Sequence, residues 1–244
     1  MKKKSVFTKG LMILAGVFVT LATLLTSIDV ATFDKAFYKK QYQALGTAER
    51  IGVSEEDLMR ATDVLLDYCA GKRDDLSLIV ERDGVRMQMF TDETEVAHMV
   101  DVQALFLLMF AVRNGLVIGA AFCIVVAFLL RISTTDAMKM LMIGLGIGLL
   151  IPIVCGALAA LDFTWFWTQF HHVFFTNDLW LLNPRTSVLI QMVPEEFFSA
   201  IVLKILIWFA VAMVVWFSLA GLVRHVVKRR RERKGQENAA VVGH

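Results

Sequence analysis

Histidine is the side chain whose unperturbed pKa, about 6.5, suits proton transfer near neutral pH, and the 244-residue sequence holds five of them. His244 ends the chain and His225 sits in a run of arginines and lysines, which leaves His98, His171 and His172 as candidates for chemistry. His98 has Glu95 three residues before it and Asp101 three after it. On a helix that spacing makes both carboxylates its neighbours and fits two roles equally: fixing the imidazole tautomer, or ordinary pairing on a helix surface. His171 and His172 lie in a segment that also carries Asn177, Asp178 and Trp180. Histidines from two distant parts of a chain, once brought to one layer, can serve as general acid and base. The same histidines could also be axial ligands of a haem or hold a metal ion.

Other chemistry lacks motifs. The chain has no G-x-S-x-G elbow, Walker loop, H-E-x-x-H pair or C-x-x-C pair, so a hydrolase nucleophile, a nucleotide site and the common zinc sites have no support, and no cofactor is expected. Three cysteines, an odd count, cannot form a fully paired disulfide framework. Lysines and arginines number 25 against 23 acidic residues, and the resulting +2 excludes an overall nucleic-acid-binding character. Pro194-Glu195-Glu196 suits a helix start, with proline in the first turn and carboxylates at the positive end of the dipole; a substrate-binding role for Glu195 is the alternative. Asn177-Asp178 and Asn183-Pro184 read first as turn chemistry. Arg113 and Lys204 interrupt apolar runs, either as cations snorkelling to a membrane edge or, for Arg113 above all, as functional groups.

The elements that must position these residues follow from an excess of apolar side chains. The sequence is 57% apolar and 20% charged, against about 45–50% and about 25% in soluble domains; the surplus calls for lipid. Residues 10–28 follow Lys2, Lys3, Lys4 and Lys9 and as a helix cover about 28 Å, close to the roughly 30 Å hydrocarbon core. The run is too long for a signal-peptide core and lacks a small-x-small cleavage site, so it reads as an uncleaved anchor. Further spans occupy 102–130, 137–161 and 199–223. The N-terminus 1–9 and the tail 224–244 are rich in cations, and the short connection 131–136 is flanked by Arg131 and Lys139, which by the positive-inside rule puts all three, and both termini, in the cytoplasm.

Residues 29–101 and 162–198 then lie outside. In the first, Ser54 and Asp57 form a capping-box-like start with Leu58, Ala61, Leu65 and Leu66 at helical spacing, and Asp83-Gly84 between two alternating runs predicts a β-hairpin near 76–90. The second is dense in aromatics from Phe163, Trp165 and Trp167 to Phe197 and Phe198, which suits the aromatic belt of the outer interface. The fold class is thus an α-helical integral membrane protein with four transmembrane helices and a small α+β extracytoplasmic insertion between helices 1 and 2. Gly144, Gly146 and Gly148 read as close helix packing within the third span.

Two stretches carry a resemblance. Glu95-Val-Ala-His98-Met99-Val-Asp101-Val102, and Phe170-His171-His172-Val-Phe174-Phe175-Thr-Asn177-Asp178-Leu-Trp180 continuing to Pro184, followed by Pro194-Glu195-Glu196-Phe197-Phe198, resemble the lipoprotein intramolecular transacylases (Lit), integral membrane proteins of Gram-positive bacteria. The order of parts resembles that family too, over roughly residues 10–223. One departure is Ser187, where the family pattern often has an aspartate. The resemblance implies an acyltransferase of the cell membrane that moves an acyl chain from the glyceryl group of a diacylglyceryl-modified lipoprotein to the α-amine of its N-terminal cysteine. The product is a lyso-form lipoprotein, and the site lies at the outer-leaflet face. It further implies that His98 and His171 are catalytic, one as base and the other polarising the carbonyl or orienting the substrate. Glu95, Asp101, Arg113, Asn177, Asp178, Trp180 and Glu195 bind substrate or support the pair, and the partners are the lipidated lipoprotein and membrane lipid. A haem or metal protein, or a non-catalytic membrane scaffold, are the competing classes.

Overall fold

The computed structural model describes residues 2–242, so His244 lies outside the described residues. Four helical stretches are long and apolar enough to cross a membrane. Three are single helices, α1 (Lys2–Thr32), α5 (Glu93–Leu129) and α10 (Glu195–Val242); the other is split into α6 (Thr134–Gly148) and α7 (Leu150–Leu161). The apolar stretch 137–161, expected as one helix, is interrupted at Leu149 because Pro152 has no N–H for the Gly148 carbonyl one turn back and its ring crowds that carbonyl. The Leu149 N–H is shared between the carbonyls of Leu145 and Gly146 at 3.2 and 3.3 Å. At most 33% of any span's most apolar window is buried inside the protein. Side chains such as Ile118, Phe122 and Leu129 therefore present a wide apolar surface that lipid, not water, would cover.

The chain divides into two compact units. One contains Val112–Val154 with the described parts of residues 1–26 and 207–244. Its tightest seam joins α1 to α6. A Cβ on Gly16 would drive into the Leu141 carbonyl, one on Gly144 into the Ile13 carbonyl, and one on Gly148 would come within 2.6 Å of the Thr20 Cβ. The Thr20 hydroxyl, fully buried, lies 3.2 Å from the Leu145 carbonyl across the seam. Gly146 is different: a Cβ there meets nothing within 4 Å. Residues 144 and 148 are four apart and share a helix face, whereas 146 points away. Met12, Ala15, Leu141 and Ala220 pack beside the seam.

The other unit contains Ser27–Ala111 and Cys155–Leu206. Between α1 and α5 it holds α2 (Lys35–Leu45), α3 (Thr47–Ile51), α4 (Glu55–Cys69) and a hairpin of β1 (Ile79–Arg82) and β2 (Val85–Gln88). Asp83 and Gly84 form the two-residue turn at φ 51° and 79°, the positive values that a type I′ turn requires. Arg82 pairs with Val85 and Ile79 with Gln88. Ser54 caps α4 by accepting from the Asp57 N–H at 3.0 Å. Asp34 caps α2 through the Ala36 N–H at 3.0 Å and also takes the Lys204 ammonium at 2.5 Å. Lys204 is thus paired rather than a bare edge cation, and it sits 4.4 Å from the centre of the Phe37 ring. Lys204 beside Asp34 holds that carboxyl below the usual carboxylate range. Tyr38, Tyr42, Leu58, Val80, Phe90, Met192 and Phe197 belong to one buried core.

The glycine seam sets a clear expectation. Gly144→Ala should lower stability by about 1–3 kcal/mol through overpacking, whereas Gly146→Ala should stay within about 0.5 kcal/mol. Thermal unfolding of the two variants in the same detergent micelle measures the contrast.

Candidate active site

The site is built from the start of α5, from α8 (Phe163–Phe174), and from the chain leading to α9 (Val188–Met192), all within the second unit. Asp92 sets the start of α5, its carboxylate accepting from the Thr94 N–H at 2.8 Å and the Glu95 N–H at 3.4 Å. Glu95 and His98 then follow one turn apart and are both buried, at 1% and 7% exposure. Asp162 starts α8 in the same way, accepting from the Trp165 N–H at 2.9 Å. In the last turn of α8 His171 turns inward, 8% exposed, while His172 is exposed.

The two inward imidazoles lie 6.3 Å apart, centre to centre. Phe175 packs against both, 5.1 Å from His98 and 5.6 Å from His171. The Trp180 indole stacks on His171 at 4.7 Å. The His171 Nδ1 lies 2.7 Å from the Trp167 carbonyl oxygen. A carbonyl can only accept, so Nδ1 carries the hydrogen, and in the neutral ring Nε2 holds the free lone pair. Burial pushes the His171 imidazole below its ordinary value, against the upward pull of the Trp167 carbonyl, and the neighbouring His172 adds to the lowering.

The carboxylates near His98 are occupied elsewhere, and neither hydrogen-bonds to its ring. Glu95 Oε1 accepts from the Leu189 N–H at 3.0 Å, and the buried Ser187 hydroxyl accepts from the Ile190 N–H at 3.2 Å. Together they satisfy two N–H groups at the start of α9 that the helix leaves unpaired. Ser187 thus has a capping role of its own. Asp101 Oδ2 accepts from Asn177 Nδ2 at 2.9 Å, and Asn177 Oδ1 accepts from the Leu179 N–H at 3.1 Å. Asn177 therefore makes the expected turn and also ties it to α5. Asp178 contributes a backbone carbonyl to the Leu181 N–H at 3.0 Å. Glu195, in the first turn of α10, accepts from the Thr164 hydroxyl in the first turn of α8. Arg113 lies on α5 in the other compact unit, within hydrogen-bond distance of Asn114.

Phe175 and Trp167 were not singled out from sequence as site residues, although Trp167 stands one helical turn before His171 and Phe175 falls within the stretch that carries the resemblance. Among the described residues no group of three or more His, Cys, Asp or Glu is arranged to hold a metal ion. The arrangement can take a proton at His171 Nε2 inside an aromatic enclosure. Its electrostatics are testable: burial holds the His171 imidazole below the ordinary histidine value of about 6.5 and so favours the neutral ring. NMR titration of ring-labelled histidine in micelles, assigned by loss of one signal in His171→Ala, should give a midpoint under that value. A midpoint at 7 or above contradicts the burial argument.

Comparison with known proteins adds the following. The model of the family described as lipoprotein intramolecular transacylase Lit matches residues 13–198. No curated protein sequence matches. Among solved structures, that of the membrane-integral lipoprotein intramolecular transacylase Lit from Bacillus cereus superposes with a TM-score of 0.73 at 18% identity, covering 92% of this chain and 98% of the other. A variant of the Bacillus cereus protein with one histidine replaced by arginine gives 0.72 at 18%, over 93% and 94% of the two chains. A variant with alanine there gives 0.70 at 18%, over 92% and 96%.

Proposed function

The chain belongs to the lipoprotein intramolecular transacylase (Lit) family and is a multi-pass membrane enzyme, and from that premise we propose that it moves one acyl chain within a diacylglyceryl-modified lipoprotein. The chain leaves a glyceryl oxygen for the α-amine of the N-terminal cysteine, and the product is the lyso-form lipoprotein with an N-acyl, S-monoacylglyceryl cysteine. Nucleophile and acyl donor belong to one substrate molecule, so proximity comes with the substrate and no serine or cysteine of the enzyme has to carry the acyl group. What the protein supplies is a proton acceptor for the attacking nitrogen and a proton donor for the departing oxygen.

The observation that carries this reading is the buried pair of imidazoles 6.3 Å apart, with His171 Nδ1 bound to a backbone carbonyl. His171 Nε2 takes the proton of the amine nitrogen as the C–N bond forms, and returns it to the glyceryl oxygen as the C–O bond breaks. Both atoms are bonded to the same carbon in the tetrahedral intermediate, so one imidazole nitrogen serves both transfers. His98 orients the substrate from the other side; its Nδ1 is buried without a hydrogen-bond partner and suits an amine or carbonyl of the substrate. The aromatic enclosure of Phe175, Trp180 and Trp167 favours transfer over hydrolysis by keeping water out. Glu95, Asp101 and Asn177 act through the frame, holding α9 and the turn before it against α5.

In the membrane, the spans 10–28, 102–130, 137–161 and 199–223 set both termini in the cytoplasm and the histidines at the outer-leaflet face, where lipidated N-termini and acyl chains meet. The concentration of lysine and arginine at 1–9 and 224–244, with Arg131 and Lys139 about the short connection, supports that orientation.

Mass spectrometry of a lipoprotein N-terminus tests the assignment. The unsubstituted protein should convert the diacylglyceryl form completely, and His98→Ala and His171→Ala should each slow conversion by about 10²–10⁴-fold, the range for a lost acid or base. His172→Ala should convert normally. Full conversion by both His98→Ala and His171→Ala would refute the pair's role.

A further inference from the structure

Acyl transfer from oxygen to nitrogen puts negative charge on the ester carbonyl oxygen, and a base alone leaves that charge without a partner. Among the described residues, three buried side-chain atoms of this one site have no hydrogen-bond partner in the protein: Glu95 Oε2, His98 Nδ1 and Trp180 Nε1. Native proteins pair nearly all such atoms, because an unpaired one has given up its bonds to water for nothing in return. A cluster of three marks a place where a ligand completes the bonding. Of the three, Trp180 Nε1 is the only group that can do nothing but donate: a carboxylate accepts, and a neutral imidazole nitrogen either accepts or donates according to tautomer.

Its position suits that single capacity. The indole stacks on the His171 imidazole, 27° from parallel with centres 4.7 Å apart, and the exposed His172 ring stands at a right angle to it at 5.1 Å. An imidazole accepts through a lone pair in its ring plane, and an indole donates through an N–H in its ring plane. Stacked, the two rings set a proton acceptor and a hydrogen-bond donor in adjoining layers. A tetrahedral carbon formed by amine attack on an ester asks for that pair: an acceptor at nitrogen and a donor at the carbonyl oxygen.

We propose that the Trp180 indole N–H donates a hydrogen bond to the ester carbonyl oxygen of the substrate and to the oxyanion which that oxygen becomes. The proposal rests on the transacylase reading above and adds the group that stabilises the charge. As the amine nitrogen bonds to the carbonyl carbon, the π electron pair moves onto oxygen against the indole N–H, and the nitrogen's proton passes to His171. The pair then returns to re-form the carbonyl, the bond to the glyceryl oxygen breaks, and that oxygen takes the proton from His171. The indole keeps its own hydrogen throughout. The ring is half-buried but its N–H is screened from solvent, so the donor meets the developing charge with little water to rearrange.

Single-turnover kinetics of the full-length protein in lipid nanodiscs, with a synthetic diacylglyceryl-cysteinyl peptide, test this. Two changes remove the N–H: Trp180→Phe, and replacement of Trp180 by benzothienylalanine, which keeps the bicyclic shape and puts sulfur in place of the nitrogen. Loss of one oxyanion donor costs about 10²–10³-fold in rate, so both should slow the chemical step by about that factor, with the half-saturating peptide fraction and the thermal midpoint little changed. An unaltered rate with the benzothienyl side chain overturns the proposal, even if Trp180→Phe is slow or unfolded, because ring shape and not the N–H then matters. A loss confined to peptide affinity overturns it as well, since it shows binding equal in ground and transition states. No N-acyl product from the unsubstituted protein removes the transacylase reading and this proposal together, whereas slow benzothienyl protein beside active unsubstituted protein and inactive His171→Ala supports both.

Discussion

The bond between the His171 ring and the Trp167 carbonyl shares its acceptor with a helix. In α8 the same carbonyl stands four residues before the residue-171 N–H, the spacing of the helical ladder, so the orientation of the imidazole is tied to the helix. No carboxylate is needed to choose the tautomer. The constraint passes outward through Trp167, whose ring stacks on Phe170 at 5.1 Å and on Phe198 of α10 at 4.4 Å. It passes also through Phe175, whose N–H closes the helix on the His171 carbonyl at 2.8 Å while its ring packs against both histidines.

The carboxylates around the pair show how construction and chemistry divide the polar residues of such a site. Glu95 is almost wholly buried, yet one of its oxygens is occupied by a backbone N–H of α9. Asp101 holds a side-chain amide, and Glu195 holds a hydroxyl. Glu95 and Glu195 stand in the first turns of their helices, where backbone groups lack partners and a polar side chain has most to offer, whereas Asp101 lies further inside α5 and ties a loop to it. Aromatic rings fill the remaining walls, so the groups with free valence are few and stand together.

Some of this was legible along the chain. Apolar runs of membrane length declare themselves, because lipid demands about twenty consecutive residues, and Asp83-Gly84 announces its turn because few other pairs tolerate positive φ twice. His171 and His172 could be separated only by a motif, since neighbouring residues on a helix differ by about 100° and nothing in the sequence says which direction is inward. The remainder depends on contacts between distant positions. Gly16 is an unremarkable residue of an apolar run until Leu141 lies against it. Lys204 marks a membrane edge until Asp34 is beside it. Glu95 is the neighbour of His98 in sequence, but its hydrogen bond goes to a residue 94 positions on. Pro152 was the exception, a local signal for the break at Leu149 that the strength of the apolar pattern obscured.

That long reach has a consequence for biosynthesis. The Asn177–Asp101 bond joins positions 76 apart, and the cap on α9 joins positions 94 apart. A nascent chain that has threaded its first three hydrophobic segments into the bilayer still lacks both ties and the ring of His171. Contacts so distant in sequence form late, and the frame around the pocket is not closed before residue 189, which takes the Glu95 carboxylate, has left the ribosome. The two imidazoles therefore meet their full surroundings only after the third apolar segment and the aromatic stretch behind it have both been made.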